Sequence, residues 1–375
     1  MDFQLSDDQR LVQESLSRFL KDGYPFDRRQ AAAASPEGFD RATWQALAEL
    51  GLLAAPLSAE QGGLGGSGAD VMVVMEELGK ALAVEPYLAT VVLCGGLLED
   101  LGGAVQKEAL LPALAAGERL FAFAHGEPAA RYELAHVATR AEETEGGWRL
   151  TGRKGVVLNG DTADLLLVSA RSAGAAEAES GIGLFLVEAG AAGLSRRGYP
   201  TIDGYRAAEI DLEGVAATPL GDPAGAFPAI ERAVARALVG LCAEAVGAME
   251  VVCAGTLDYL KTRKQFGVAI GSFQVLQHRM VELFMALEDA RSLTILAAAR
   301  LGGGRREREH AVSAAKAGVG RAARRVAEEA IQMHGGIAMT WEFPTAHYCK
   351  RLVMLDHLFG DVDHHEERVA ELSLG

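Results

Sequence analysis

Residues 261–279, KTRKQFGVAIGSFQVLQHR, interrupt a long helical pattern at Gly267 and resume it near Ser272. The break carries Arg263, Phe266 and Gln274, which are a fixed cation, an aromatic face and an amide. Those groups suit the pyrophosphate, the adenine and the ribose or phosphate edge of a dinucleotide. A second stretch, QMHGGIAMTWEFP at 332–344, adds Gln332 and the pair Gly335-Gly336, where bare backbone can approach a ligand closely. Helix packing alone asks for neither motif.

Outward from these stretches, 375 residues fit two or three domains. The hydrophobic fraction of 49% suits tightly packed helices and large buried interfaces. A net charge of −15 gives a nucleic-acid partner no general electrostatic support. RREREH at 305–310 is a basic patch that reads as a solvated loop. No apolar run is expected to reach the roughly eighteen residues of a membrane span, and Met1-Asp2 begins no basic, apolar export signal. Cys94, Cys242, Cys253 and Cys349 form no C-x-x-C pair, so reduced, buried thiols and a cytoplasmic location are expected.

Residues 1–116 read as helix throughout. Ser6 caps DDQRLVQESLSRFLKDG, Asp40 caps DRATWQALAELGLL with Gly51 as its stop, and ADVMVVMEELGKAL is apolar nearly all round, as in a bundle interior. Gly63, Gly65 and Gly68 satisfy G-x-G-x-x-G, but no strand feeds the turn, so the segment reads as an inter-helix loop. From about 119 the pattern changes to short runs: RLFAFAH, HVATRAE, GWRLTGRKGVVLNG, DLLLVSAR, IGLFLVE and AAEIDLEGV. Turn signals at Glu145-Gly146-Gly147, Asn159-Gly160 and Ala189-Gly190 separate them, as in an antiparallel β-domain with Asn159-Gly160 as a hairpin turn. RSAGAAEAESG at 171–181 reads as a surface loop, and PLGDPAGAFP at 219–228 marks the return to helix.

A helical bundle, a β-domain and a second bundle, with the two motifs in this order, resemble the flavin-dependent acyl-CoA dehydrogenases over essentially the whole chain. In that family R-K-x-F-G-x-x-I-x-x-F-Q and Q-x-x-G-G hold the FAD of a neighbouring subunit across a dimer interface. The resemblance implies an α+β fold, with an N-terminal helical domain at 1–118, a β-domain at 119–222 and a C-terminal helical domain at 223–375. It places Arg263, Phe266, Gln274, Gln332, Gly335 and Gly336 at the adenine and diphosphate end of FAD. PLSAEQGGLGG at 56–66 is similar to the family's P-x-E-x-G-G-x-G loop.

Other positions depart from the family. Its T-E-P-x-A-G-S-D-like segment reads HGEPAARYE here, so Glu127-Pro128 survive while Arg131-Tyr132 replace the Ser-Asp pair. Its W-[IV]-[ST]-N-G strand reads VVLNG, with Val156 at the aromatic position and Leu158 at the hydroxyl position; neither side chain can hydrogen-bond a flavin. The base is absent from both usual places: Phe359 stands for the glutamate of Y-E-G, and Ala237 stands for the alternative one, followed by Leu238 in place of an arginine that contacts CoA. Two carboxylates are candidates for a relocated base: Glu244, two turns past Ala237 and so displaced by roughly 10 Å, too far for an unchanged substrate pose, and Asp361, two residues past Phe359 with a shorter side chain. A positioned base is worth about 10²–10⁴ in rate, so its loss carries weight.

The closing DHLFGDVDHHEERVAEL gathers Asp356, His357, Asp361, Asp363, His364 and His365. Consecutive residues splay around a helix, so a capped helix start is expected and no metal. F-G-D-x-D-H-H and PTIDGYRAAEIDLEGV resemble a subgroup that includes smaller subunits of heteromeric acyl-CoA dehydrogenases acting on steroid side chains or pimeloyl-CoA. The resemblance therefore implies a subunit that supplies the adenine and diphosphate half of an interfacial FAD site, in a heterotetramer whose homologous partner supplies the glutamate. It also implies an acyl-CoA substrate and an electron-transfer flavoprotein as acceptor, with no nucleic acid and no membrane. A homotetramer with a relocated base, at Glu244 or Asp361, and a non-enzymatic flavoprotein of the same fold remain as alternatives.

Overall fold

The computed structural model describes residues 5–374; Met1–Gln4, part of the run expected to lead into the first helix, and Gly375 lie outside it. The helices before the strands are α1 (Asp7–Gly23), α2 (Phe26–Ala34), α3 (Arg41–Glu49), α4 (Gly68–Ala81), α5 (Gly96–Leu101) and α6 (Ala104–Ala115). Strands follow as β1 (Phe121–Ala124), β2 (Arg140–Thr144), β3 (Gly147–Leu158), β4 (Leu165–Arg171), β5 (Ile182–Glu188), β6 (Leu194–Pro200) and β7 (Arg206–Pro219). The chain then forms α7 (Phe227–Thr262), a small hairpin β8 (Lys264–Gln265) and β9 (Val268–Ala269), α8 (Gln274–Arg300), α9 (Arg305–His334), α10 (Pro344–His357) and α11 (Val362–Leu374). By contacts it divides into two compact units.

One unit comprises residues 5–29, Ser67–Ala83 and 238–374. Ser6 and Gln9 form a reciprocal capping box at α1, and Ser67 and Asp70 form another at α4. Helix α4 is clasped backbone to backbone. A Cβ on Gly68 would strike Ala298 of α8, one on Gly79 would strike the Glu244 carbonyl of α7, and one on Gly247 would strike the Glu76 carbonyl. Across this contact Arg291 bridges Glu76 at 2.6 Å and Glu250 at 2.8 Å, and Lys80 bonds Glu77 at 2.9 Å. RREREH opens α9 and is neutralised locally: Arg306 donates to the Leu372 carbonyl, while Glu309 takes Arg308 and Arg368.

The other unit comprises Gln30–Gly66 and Val84–Ala237. Asp40 caps α3, accepting the Ala42 N–H at 3.0 Å. Leu88–Gly95 forms a wholly buried π-helical stretch, which an apolar run without periodicity does not announce. The glycine-rich segment at 62–66 is a loop without a strand: Gly62, Gly65 and Gly66 have positive φ, and Gly63 packs on the Leu57 and Ala54 carbonyls. The sheet runs β1-β4-β2-β3-β7-β5, with β6 on β7.

Two expectations change here. The sheet is mixed rather than purely antiparallel, because β1 lies parallel to β4. Asn159-Gly160 is also no hairpin turn: β3 pairs with β2 and β7, and the segment opens a connection in which Thr162 and Ala163 donate to the Asn159 carbonyl. Glu145-Gly146 does close a hairpin, between β2 and β3. The loop at 171–181 is organised by Arg171, which is buried and donates to the carbonyls of Ala135, Val137, Ala173, Ala176, Ala178 and Ser180.

The expectation that no stretch is apolar enough to span a membrane is also corrected. An 18-residue window of α7 has a mean hydropathy of 1.8, yet 83% of it is buried in the protein, as befits a core helix. Gly247→Ala should lower stability by about 1–3 kcal/mol through overpacking, read as a lower denaturant midpoint with an unchanged slope.

Candidate functional site

Helix α7 stops at Thr262, whose hydroxyl bonds back to the Asp258 and Tyr259 carbonyls. The expected break is thus wider than a loop at Gly267. β8 and β9 pair Lys264 with Ala269 and Gln265 with Val268 around a two-residue turn, and Ile270 N–H closes the base on the Arg263 carbonyl at 2.9 Å. Both turn residues have positive φ, 53° at Phe266 and 82° at Gly267, as a type I′ hairpin needs. Glycine meets that demand freely, whereas a phenylalanine is strained there. The turn sets the Phe266 ring at the tip, 92% exposed, with Phe273 edge-on at 6.3 Å.

Gln274 begins α8, whose N-cap Phe273 offers no side-chain acceptor to the first turn. Gln332 lies on the exposed face of α9 near its end. The helix closes at Gly335 (φ 69°, ψ −150°), and nothing lies within 4 Å of where a Cβ on Gly335 or Gly336 would stand. The side chains of Arg263, Gln274 and Gln332 are exposed and make no hydrogen bond or ion pair with any described residue. The two motifs meet through a contact that sequence reading missed: Tyr259 of α7 packs its ring on His334 of α9 at 4.5 Å, inclined 30°.

In the β-domain Glu127 is a structural anchor. Its carboxylate accepts from the Ala138 and Thr139 N–H groups at 2.8 and 2.9 Å and from Lys154 Nζ at 2.7 Å. Lys154 is fully buried and also donates to the His125 carbonyl and the Ser169 hydroxyl. Burial alone would raise the Glu127 carboxyl, but the Lys154 charge and these hydrogen bonds overcome it and hold it at about 2. Burial pulls Lys154 down to about 8, so the pair stays ionised at neutral pH.

Two residues beyond Lys154 the strand bulges, and Val156 is 58% exposed with φ 51°. Arg131 is exposed with φ 50°, and Leu158 is half-buried. This face shows an aliphatic side chain, which can donate no hydrogen bond.

The base positions resolve in the same direction. Ala237 is wholly buried, and Phe359 is half-buried at φ 56°. Buried Lys316 donates to the Asp356 and Gly360 carbonyls at 2.6 and 2.5 Å, and His365 Nε2 meets the Phe359 carbonyl at 3.0 Å. Glu244 is bound on both oxygens by Arg351, at 2.6 and 2.8 Å, with both side chains buried. As a relocated base it would have to give up that pair. Asp361 accepts the His364 N–H at 3.0 Å as the cap of α11, and this bond holds its carboxyl below the usual range. Among the described residues no three His, Cys, Asp or Glu side chains gather as a metal set. The four cysteines are buried, and burial raises every thiol.

Three family models match in order along the chain. They are the acyl-CoA dehydrogenase N-terminal domain over 6–118, the middle domain over 122–215 and the C-terminal domain over 226–374. The chain belongs to the acyl-CoA dehydrogenase family. A probable acyl-CoA dehydrogenase, YngJ of Bacillus subtilis (strain 168), is 30% identical over 351 residues, covering 92% of each chain. A steroid acyl-CoA dehydrogenase structure, a Tcur3481-Tcur3483 variant, superposes at TM-score 0.88 with 28% identity over 98% of each chain. PigA with FAD and proline superposes at TM-score 0.89 with 26% identity, covering 99% of this chain and 98% of the other.

FAD is the cofactor of this family. The exposed donors of Arg263, Gln274 and Gln332 and the open backbone at Gly335-Gly336 fit its adenine and diphosphate end. The Val156 and Leu158 side chains do not fit a role as hydrogen-bond donors to its ring.

Glu127→Gln should cost about 3 kcal/mol at pH 7, since it leaves the Lys154 charge buried without its counter-ion. Because Glu127 is held below the ordinary carboxyl value, its contribution is full above about pH 4.5 and fades as the pH falls toward 2. Melts of the two proteins across that range should therefore converge at acid pH.

Proposed function

We propose that this chain is one subunit of a heteromeric acyl-CoA dehydrogenase. It lends the adenine and diphosphate half of an interfacial FAD site, and a homologous chain lends the catalytic glutamate. The observation that carries this reading is the contrast between two sets of side chains. Arg263, Gln274 and Gln332 are exposed and make no hydrogen bond or ion pair with any described residue, and Phe266 exposes its ring, while Ala237 and Phe359 stand at the base positions, Glu244 is held by Arg351 and Asp361 caps α11.

α,β-Dehydrogenation of an acyl thioester removes the α-proton and the β-hydrogen as hydride. FAD supplies the two-electron acceptor when bound. On this chain the Arg263 guanidinium neutralises the diphosphate, Phe266 stacks on the adenine, and Gln274 and Gln332 bond the ribose or phosphate edge. Gly335-Gly336 lets backbone N–H groups come close. Proton removal falls to the partner, because Phe359 and Ala237 cannot accept a proton and Glu244 is neutralised by Arg351.

The likeness to a steroid acyl-CoA dehydrogenase whose name joins two components supports a paired assembly and a bulky acyl group. Family membership supports an electron-transfer flavoprotein as acceptor. A heterotetramer of two chains of each kind then holds two flavins.

Copurification with the candidate partner and flavin absorbance test this. The expected result is two FAD per tetramer, released by Arg263→Ala, which removes a charge-assisted contact of about 1.5–3 kcal/mol. Asp361→Asn keeps a competent helix cap and should leave activity of the complex nearly unchanged. Four flavins per tetramer, or a loss of about 10²-fold in Asp361→Asn with flavin still bound, would establish the homomeric alternative instead.

A further inference from the structure

The groups offered to the cofactor lie on two stretches far apart in sequence, and no hydrogen bond between those groups fixes their spacing. A small aromatic cluster stands between them. Tyr259 is one turn before Arg263, whose N–H bonds the Tyr259 carbonyl at 2.8 Å. His334 immediately precedes Gly335 and is 5% exposed. Its Nδ1 lies 2.8 Å from the Ala330 carbonyl, and Phe343 packs edge-on against it at 5.2 Å. The imidazole is therefore fixed by its own helix and by Phe343, and presents a face to Tyr259 at 4.5 Å. Burial lowers its pKa, so the ring is neutral at pH 7, as an apolar aromatic contact favours.

We infer that Tyr259 and His334 are positioning residues for the FAD site: their ring contact locks the Arg263–Gln274 hairpin in register with Gln332 and Gly335-Gly336. The inference rests on assigning those groups to FAD, but the lock itself is a property of the chain. The β8–β9 hairpin packs its exposed Phe266 tip on little besides Phe273. Its placement is therefore inherited from the helices at its base, the last turn of α7 and the first turn of α8, where Gln277 donates to the Gly271 carbonyl at 2.9 Å. The α9 terminus ends in glycines, and nothing lies within 4 Å of where a Cβ on either would stand. A fixed distance between a guanidinium on one stretch and an amide and bare backbone on the other lets a diphosphate be gripped from both sides without ordering either at binding.

The test has two readouts. Hydrogen exchange on the purified chain without added ligand should show faster amide exchange in both 264–270 and 335–340 for Tyr259→Leu, by about tenfold, with the melting temperature little changed. Tyr259→Phe, which keeps the ring, should match the parent. FAD affinity of the assembled protein, read by flavin fluorescence, should fall about tenfold in Tyr259→Leu and recover in Tyr259→Phe. Faster exchange in one stretch alone, or a loss that simply follows a lower melting temperature, overturns the lock. If Arg263→Ala weakens FAD binding and Tyr259→Leu does not, the positioning role fails while the site assignment stands. If Arg263→Ala has no effect on FAD binding, the assignment itself fails and the exchange result still decides the lock.

Discussion

Helix α4 meets α7 with backbone against backbone, and the surrounding unit is arranged around that approach. Gly79 leaves room for the Glu244 carbonyl, and Gly247 leaves room for the Glu76 carbonyl, so the two helices cross with no side chain between them. The same crossing brings Glu76 and Glu250 together, and shared cations make that tolerable: Arg291 gives one hydrogen bond to each, and Lys80 stands 3.6 Å from both. Glu244, with its backbone fixed under Gly79, sends its carboxylate to Arg351 on α10. One constraint thus settles the helix register and removes one of the two substitute bases from chemistry. Breaking such a buried pair is costly, so Glu244 is better understood as a strut between α7 and α10.

Much of the architecture was legible because its signals are local. Ser6 and Asp40 sit where their hydroxyl or carboxylate meets orphan N–H groups, and a cap needs no knowledge of the rest of the chain. The pairing of β1 with β4 was not legible, because it joins segments more than forty residues apart and leaves no mark in either. β6 escaped notice for another reason: LSRRGYP is an exposed edge strand, with neither an apolar run nor clean alternation. Arg171 reads as a loop charge until six carbonyls are seen around it. Lys154, between Arg153 and Gly155, looks solvated until Glu127 is found opposite it.

The site divides in the same way. Residue types pointed to a cation, an aromatic and amides suited to a dinucleotide end, because those chemistries are few and their spacing is distinctive. What they could not give was the contact between Tyr259 and His334, two residues whose local settings say only that each belongs to a helix. The histidine in QMHGG was visible as a letter, but its partner lies on another helix. Side-chain identity also hid the fate of Asp361, since a carboxylate two residues beyond a missing base looks available until its hydrogen bond to the His364 N–H is seen.

Backbone strain coincides with several positions that the proposed reading assigns to ligands. Among the described residues six non-glycine residues have positive φ, and four of them, Arg131, Val156, Phe266 and Phe359, fall at positions that the proposed reading assigns to cofactor or substrate contacts. Left-handed conformations are costly for bulky or branched side chains, and they persist when surrounding structure over-determines them. Lys154 and its partners do so two residues before Val156, Lys316 and His365 do so at the carbonyls around Phe359, and the β8–β9 ladder does so at Phe266. The left-handed backbone is thus supported at all three places, but the side chains it presents differ in chemistry. At Val156 and Phe359 the backbone presents hydrocarbon, which can neither donate a hydrogen bond nor take a proton. At Phe266 backbone and side chain still agree, with an exposed ring beside a free guanidinium. Fold retention alone therefore cannot say which half of a reaction a chain performs; the side chains its strained backbone still presents can.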